Sequence, residues 1–226
     1  MSHHVARTLR HDTARAATCR VPLTMLLAAA AWALTALAAA SASAVPEHDA
    51  LLQQLRHGGY VLVMRHAQSP ETPPGAQTAE ADNVQRERQL SEAGKASARA
   101  LGAALRALRI PLGPIYSSPT YRALQTVRFA GLASPQPIAL LAEGPRGMAG
   151  DAGRAQVRWL QRAVAQTPPV GSNTLIVTHT PNIVGAFPTV ADIHATEMLV
   201  FRPDRGHARL VERLTVEQWQ QLAARR

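Results

Sequence analysis

The chain has 226 residues, with 24 Lys+Arg against 15 Asp+Glu and a single Cys. A hydrophobic share of 46% against 17% charged excludes a wholly disordered polypeptide, and one cysteine excludes an internal disulfide or a Cys-rich zinc site. The formal charge of +9 suits anionic partners, but the arginines are scattered among Glu and Asp and aromatics are few, so no nucleic-acid partner is expected.

The chain opens with Arg7, Arg10, Arg15 and Arg20, opposed only by Asp12. Val21 to Ala40 then runs without a charge, mostly Ala and Leu, and Ala42-x-Ala44 is the small-residue pattern a signal peptidase accepts. A basic stretch, an apolar stretch and a small-residue end together read as a signal peptide over 1–44, cleaved near Ala44. The alternative is an uncleaved membrane anchor, since twenty apolar residues are long enough to span a bilayer. No Arg-Arg pair precedes the apolar stretch, which favours the general secretion route over the twin-arginine one, and translation starting at Met25 is a further alternative. The expected product is a periplasmic or secreted domain over 45–226, cysteine-free because Cys19 leaves with the leader. Membrane contact is expected only through an uncleaved leader.

Beyond the leader, Glu47 to His57 places Leu51, Leu52 and Leu55 at helical spacing and stops at Gly58-Gly59. Tyr60 to Met64 is a continuous apolar run, the pattern of a strand buried on both faces, and it ends at Arg65-His66. Residues 69–89 read as a long loop rich in Pro, Gly, Thr, Gln and charge. Ser91 is an N-cap candidate for a helix through Leu108. Ile115-Tyr116 reads as a short strand, and Pro119 suits the first turn of a helix to about Ala130. Ile138 to Leu141 is a third strand candidate, followed by a helix over Asp151 to Ala165. Thr174 to Thr178 is a strand ending at His179, Met198–Phe201 with Ala208–Leu214 a closing hairpin, and Val216–Ala224 a last helix. Alternating strands and helices define an α/β class with a mainly parallel sheet.

Three strand ends carry groups able to handle a phosphate: Arg65-His66, then Ser118 with Arg122, then His179. In open α/β sheets ligands bind beyond the carboxyl ends of the strands, so these groups can converge. Val63-Met64-Arg65-His66-Ala67 resembles the Arg-His-Gly signature of the histidine phosphatase superfamily, with Ala67 in place of the usual Gly. Ser117 to Thr126 is similar to the second motif of that family, and Leu175 to Asn182 to the segment carrying its second histidine. Leu90-Ser91-Glu92-Ala93-Gly94 resembles the helix start between the first two motifs. The resemblance spans about residues 58–214 and implies a three-layer α/β/α sandwich of the phosphoglycerate mutase-like kind.

It further implies that His66 is a nucleophile passing through a phosphohistidine, with Arg65, Arg122 and a protonated His179 clamping the phosphoryl oxygens. Ser118 and Asn182 are the additional substrate-binding candidates. Glu143 stands where many members keep the acid that protonates the leaving group, with Glu197 and Asp82 as rivals. The guanidinium groups do the electrostatic work a metal does elsewhere, so no cofactor is implied. Glu143, Asp82 and Glu71 are too dispersed in sequence to suggest a metal cluster. The expected activity is phosphomonoester hydrolysis, on a phosphorylated small molecule, an envelope glycan or a phosphoprotein. The alternatives are a mutase-like phosphotransferase and a non-catalytic phosphate- or envelope-binding module.

Overall fold

Four strand-ending turns converge at one edge of a single sheet, and the buried apolar runs decide which strands lie at its centre. The computed structural model describes residues 48–143 and 150–225; the leader expected over 1–44 lies outside the described residues. In chain order the elements are α1 (48–57), β1 (Val61–Arg65), α2 (Glu92–Ala107), β2 (Leu112–Ser117), α3 (Tyr121–Phe129) and β3 (Gln136–Pro137). A 3₁₀ turn (Ala139–Leu141) follows, then α4 (Gly150–Ala165), β4 (Asn173–Thr178), α5 (Thr180–Ala186), β5 (Met198–Asp204), β6 (His207–Leu214) and α6 (Val216–Ala224). Among the described residues no helix is long and apolar enough to cross a membrane.

The sheet order is β3-β2-β4-β1-β5-β6. The first four strands are parallel to one another, β5 runs antiparallel to β1, and β6 turns back antiparallel to β5 as a hairpin. β1 and β4 occupy the centre because Val61, Leu62, Val63, Leu175, Ile176 and Val177 can all be buried, whichever face each points to. One core packs Leu62, Met64, Leu175 and Val200 under α1, α2, α3 and α6, with Trp219 fully buried among them. A second packs Val63, Ile176, Leu199 and Phe201 under α4 and α5. The result is the three-layer α/β/α sandwich.

Local chemistry fixes the boundaries. Ser91 caps α2 by accepting from the Gly94 amide at 3.0 Å. Gly94 itself lies against the Gln68 backbone, where an added Cβ would collide with the carbonyl, so this close approach ties α2 to the strand β1 end. Thr215 and Gln218 close α6 with a reciprocal capping box.

Two expectations are corrected, and one helix is added. The third strand is two residues, Gln136–Pro137, rather than Ile138–Leu141, because Pro135 and Pro137 lack the amides a longer ladder needs. The chain instead turns inward as a 3₁₀ turn, held by Thr178 Oγ1 donating to the Leu141 carbonyl at 2.9 Å. Pro119 precedes the N-cap residue Thr120 and is not in the first turn of α3. The seven-residue α5 was too short to register as a periodic pattern.

Candidate active site

β1 delivers Arg65 and His66 to the carboxyl edge of the sheet, and the neighbouring strand β4 delivers His179. The His66 amide donates to the Thr178 carbonyl at 3.0 Å, which extends the β1–β4 ladder one step and fixes where the imidazole stands. Its Nδ1–H donates to the Ala67 carbonyl at 2.7 Å. That bond leaves Nε2 as the unprotonated nitrogen, which accepts from Arg122 Nε at 3.2 Å. The His66 and His179 rings meet edge to face with centroids 5.1 Å apart.

Arg122 sits in the first turn of α3, only 6% exposed. Besides His66 it reaches His179 Nδ1 at 3.1 Å and forms a short ion pair with Glu143. Since a guanidinium only donates, His179 Nδ1 accepts, and Nε2–H is the proton donated to Ser118 Oγ at 2.8 Å. Arg65 donates from Nη1 to the Ile193 carbonyl at 3.0 Å, while its Nε is buried without a partner. A buried charged donor left unmatched is costly, and an anion supplies the match.

Burial first, then the charges of Arg122, Arg65 and Arg88, lower the His66 pKa to about 3 against the Ala67 bond, which raises it. Burial and Arg122 lower that of His179 to about 2. The expectation of a protonated His179 is therefore corrected: among these arginines both imidazoles are neutral at neutral pH. A phosphoryl dianion acts in the opposite direction, favouring the protonated form of any imidazole beside it.

Arg65, His66, Glu71, Arg88, Glu143 and His179 line one cavity of about 410 Å³. The site residues read from the sequence divide into two groups around it. Arg65, His66, Glu143 and His179 line it, and Arg122 reaches into the same cluster. Ser118 and Asn182 lie behind, both fully buried and bonded to protein groups: Ser118 orients His179, and Asn182 Nδ2 donates to the Ala142 carbonyl at 3.3 Å. Gln156 donates to the same carbonyl at 2.7 Å, so α4 and α5 together hold the turn that presents Glu143.

The rival acids stand elsewhere. Asp82 is on the surface, bonded to Tyr121 and Arg128. Glu197 is buried; burial alone would raise its pKa, but bonds from Arg213 and His194 outweigh that and keep it below the ordinary glutamate value.

Sequence reasoning missed Arg88. The loop after β1 folds back so that Arg88 donates to Pro70, Ser69 and Glu71 and adds a third guanidinium to the cavity wall. Its place in the run Arg86-Glu87-Arg88 gives no signal that separates it from a solvated charge. Two residues of the second motif gain a physical role: Thr126 Oγ1 accepts from the Ala67 amide at 3.0 Å, and Gln125 Oε1 accepts from Leu90 at 2.7 Å. They clamp α3, and hence Arg122, to the chain on either side of that loop.

A buried imidazole with one unprotonated nitrogen, ringed by guanidiniums at the strand ends of an α/β sheet, has the chemistry to receive a phosphoryl group. Residues 61–143 match the histidine phosphatase superfamily (branch 1). Among solved structures it is similar to the protein histidine phosphatase SixA complexed with tungstate, at 18% identity and TM-score 0.49, covering 70% of this chain and 97% of that one. It is also similar to a phosphoserine phosphatase mutant from Entamoeba histolytica in complex with phosphoserine, at 16% identity and TM-score 0.48, covering 70% and 98%. No curated protein matches the chain.

Proposed function

We propose that the chain is an exported phosphomonoesterase that works through a phosphohistidine on His66. The observation that carries this reading is the state of His66. Its Nδ1–H is committed to the Ala67 carbonyl, its Nε2 is therefore the unprotonated nitrogen, held by a bond from Arg122 Nε that the attack on phosphorus replaces, and Arg65 lines the cavity before it.

In the first half of the reaction Nε2 attacks phosphorus, the N–P bond forms, and the bond from phosphorus to the leaving oxygen breaks. Charge spreads over the three remaining phosphoryl oxygens, where Arg65 and Arg122 stabilise it and Arg88 adds a third positive group. The leaving alkoxide takes a proton from Glu143, the carboxyl that shares the cavity with His66. In the second half water attacks the phosphohistidine, the N–P bond breaks, and Glu143 receives the proton of that water. Inorganic phosphate and free His66 remain.

Glu143 and the phosphoryl group compete for the same guanidinium, since Glu143 is ion-paired to Arg122. Substrate binding thus draws Arg122 away from the carboxylate, and Glu143 takes from solvent the proton it then gives to the leaving alkoxide. Export rests on the leader over 1–44, and the product is a mature chain beginning at or near Val45.

The test is hydrolysis of a panel of phosphate esters and of a phosphohistidine peptide by the wild-type chain and by His66→Ala. Turnover that disappears with His66 supports the reading. Phosphate binding without turnover on any member of the panel replaces it with a binding module.

A further inference from the structure

The end of the sheet opposite the catalytic cavity carries a second charged surface with none of the pairing seen at the first. β5 extends past the start of β1, since Phe201 stands opposite Val61, and the hairpin continues through Arg202, Asp204, Arg205, His207 and Arg209. Arg202 and Arg209 are direct cross-strand partners, an arrangement in which like charges repel. The second half of α4 brings Arg158 and Arg162 to the same end, where they share a groove with Gly206 and His207. All five arginines and His207 are exposed. None of the five is ion-paired to a carboxylate among the described residues, and Asp204 is the acid at this end of the hairpin, Glu212 lying toward the other end opposite Val200.

A second observation indicates what this surface meets. Arg162 also lines a groove with Pro168 and Pro169, in the turn between α4 and β4. The next residue, Val170, is fully exposed, one of only two large apolar side chains so placed among the described residues. A projecting aliphatic residue beside a row of guanidiniums combines the two forces that hold a protein on an anionic bilayer. Single-stranded nucleic acid calls instead for exposed aromatic platforms, and the exposed large hydrophobics here are aliphatic.

We infer that this basic end docks on anionic phospholipid headgroups, with Val170 entering the acyl boundary. The catalytic cavity lies at the other end of the strands, so the docked protein presents it away from the bilayer. The inference rests on no part of the phosphatase reading, and it adds a membrane contact beyond the one expected of the leader.

The experiment is co-sedimentation of the mature chain, 45–226, with vesicles of phosphatidylglycerol and phosphatidylcholine, or of phosphatidylcholine alone. The comparison is with Arg158→Glu/Arg162→Glu/Arg205→Glu in the same mature chain, and circular dichroism reports the fold of each protein. Each arginine near an anionic bilayer strengthens partitioning about fivefold, so the triple reversal lowers it on the order of a hundredfold or more. Binding of the wild-type chain also falls steeply as salt rises toward about 0.5 M, where screening shortens the reach of these charges. Val170→Ser weakens binding further without changing the salt dependence. Equal binding by the triple variant, equal binding to both vesicle types, or tighter binding to duplex DNA or RNA than to anionic vesicles overturns the proposal. Should the triple variant lose its fold, Arg205→Ala/Arg209→Ala with the wild-type salt titration decides the same question.

Discussion

The two ends of the sheet use the same residue type in opposite ways. At the carboxyl ends of the parallel strands, Arg122 is buried and bonded to His66, His179 and Glu143, and Arg65 to the Ile193 carbonyl. At the other end Arg158, Arg162, Arg202, Arg205 and Arg209 stand exposed and unpaired among the described residues. A fixed guanidinium in a place of low dielectric is chemically specific, because its reach and angle are set before the ligand arrives. An exposed one is a mobile, screened charge, suited to an extended surface rather than to one phosphoryl group. Changes at the first end are therefore expected in turnover, and changes at the second only in where the protein resides.

The largest effect that separates the ends, short of removing the nucleophile, is at Glu143. Glu143→Gln keeps size and hydrogen bonding to Arg122 but delivers no proton. It is expected to cost roughly 10²–10⁴ in kcat/KM on alkyl phosphates and far less on nitrophenyl phosphate, whose leaving group needs no acid. Equal losses on both substrates would reassign Glu143 to holding Arg122.

Next in size are the groups that donate hydrogen bonds to the phosphoryl oxygens. Arg65→Ala removes a guanidinium whose buried Nε has no other partner, and on the order of a hundredfold or more is expected to be lost from kcat. His179→Ala is expected to follow it. Arg88→Ala is smaller, about tenfold and mainly in KM, since Arg88 touches the cavity from a loop and is held by Ser69, Pro70 and Glu71. A kcat loss as large as that of Arg65→Ala would move Arg88 into the reacting centre.

The neutral histidines also leave a mark on stability. His66 and His179 titrate at about 3 and about 2 in the folded chain, against 6.5 for a free imidazole. Between about pH 6.5 and 3 the unfolded chain therefore binds more protons than the folded one, so stability rises with pH across that window and falls on acidification. Each histidine contributes a slope of up to about 1.4 kcal/mol per pH unit there. Thermal melts of His66→Gln/His179→Gln are expected to fall less steeply with acid than those of the wild type. Parallel curves would mean that neither imidazole is held neutral by the fold.

How much of this was legible depends on whether the signal is local. β1 and β4 are buried on both faces, so each is an unbroken apolar run that stops where the chemistry starts, at Arg65-His66 and at His179. Arg122 could be placed because the turn before α3 follows directly from a strand end. Ser118 and Asn182 were legible as part of the site but not in their depth, since nothing in a sequence distinguishes a group that faces a ligand from one that holds its neighbour. Arg88 became part of the cavity only through the fold-back of a long loop, and the third strand failed because its proline content matters more than the apolar run after it. The basic end was hidden for a related reason. Arg158 and Arg162 lie some forty residues from Arg202, Arg205 and Arg209 in the chain, and the sheet topology, not the sequence, gathers the hairpin and the second half of α4 at one end.

The central claim is that His66 Nε2 carries the phosphoryl group. It is tested most directly by mixing the chain with a labelled phosphate ester, quenching within the turnover time under alkaline conditions, and mapping the modified peptide by mass spectrometry. The account predicts a phosphoryl group on His66, stable to base and labile to acid, absent from His66→Ala, which is itself expected to lose about 10⁴ or more in kcat. A labelled residue other than His66, or a His66→Ala variant that hydrolyses alkyl esters at the wild-type rate, would contradict it.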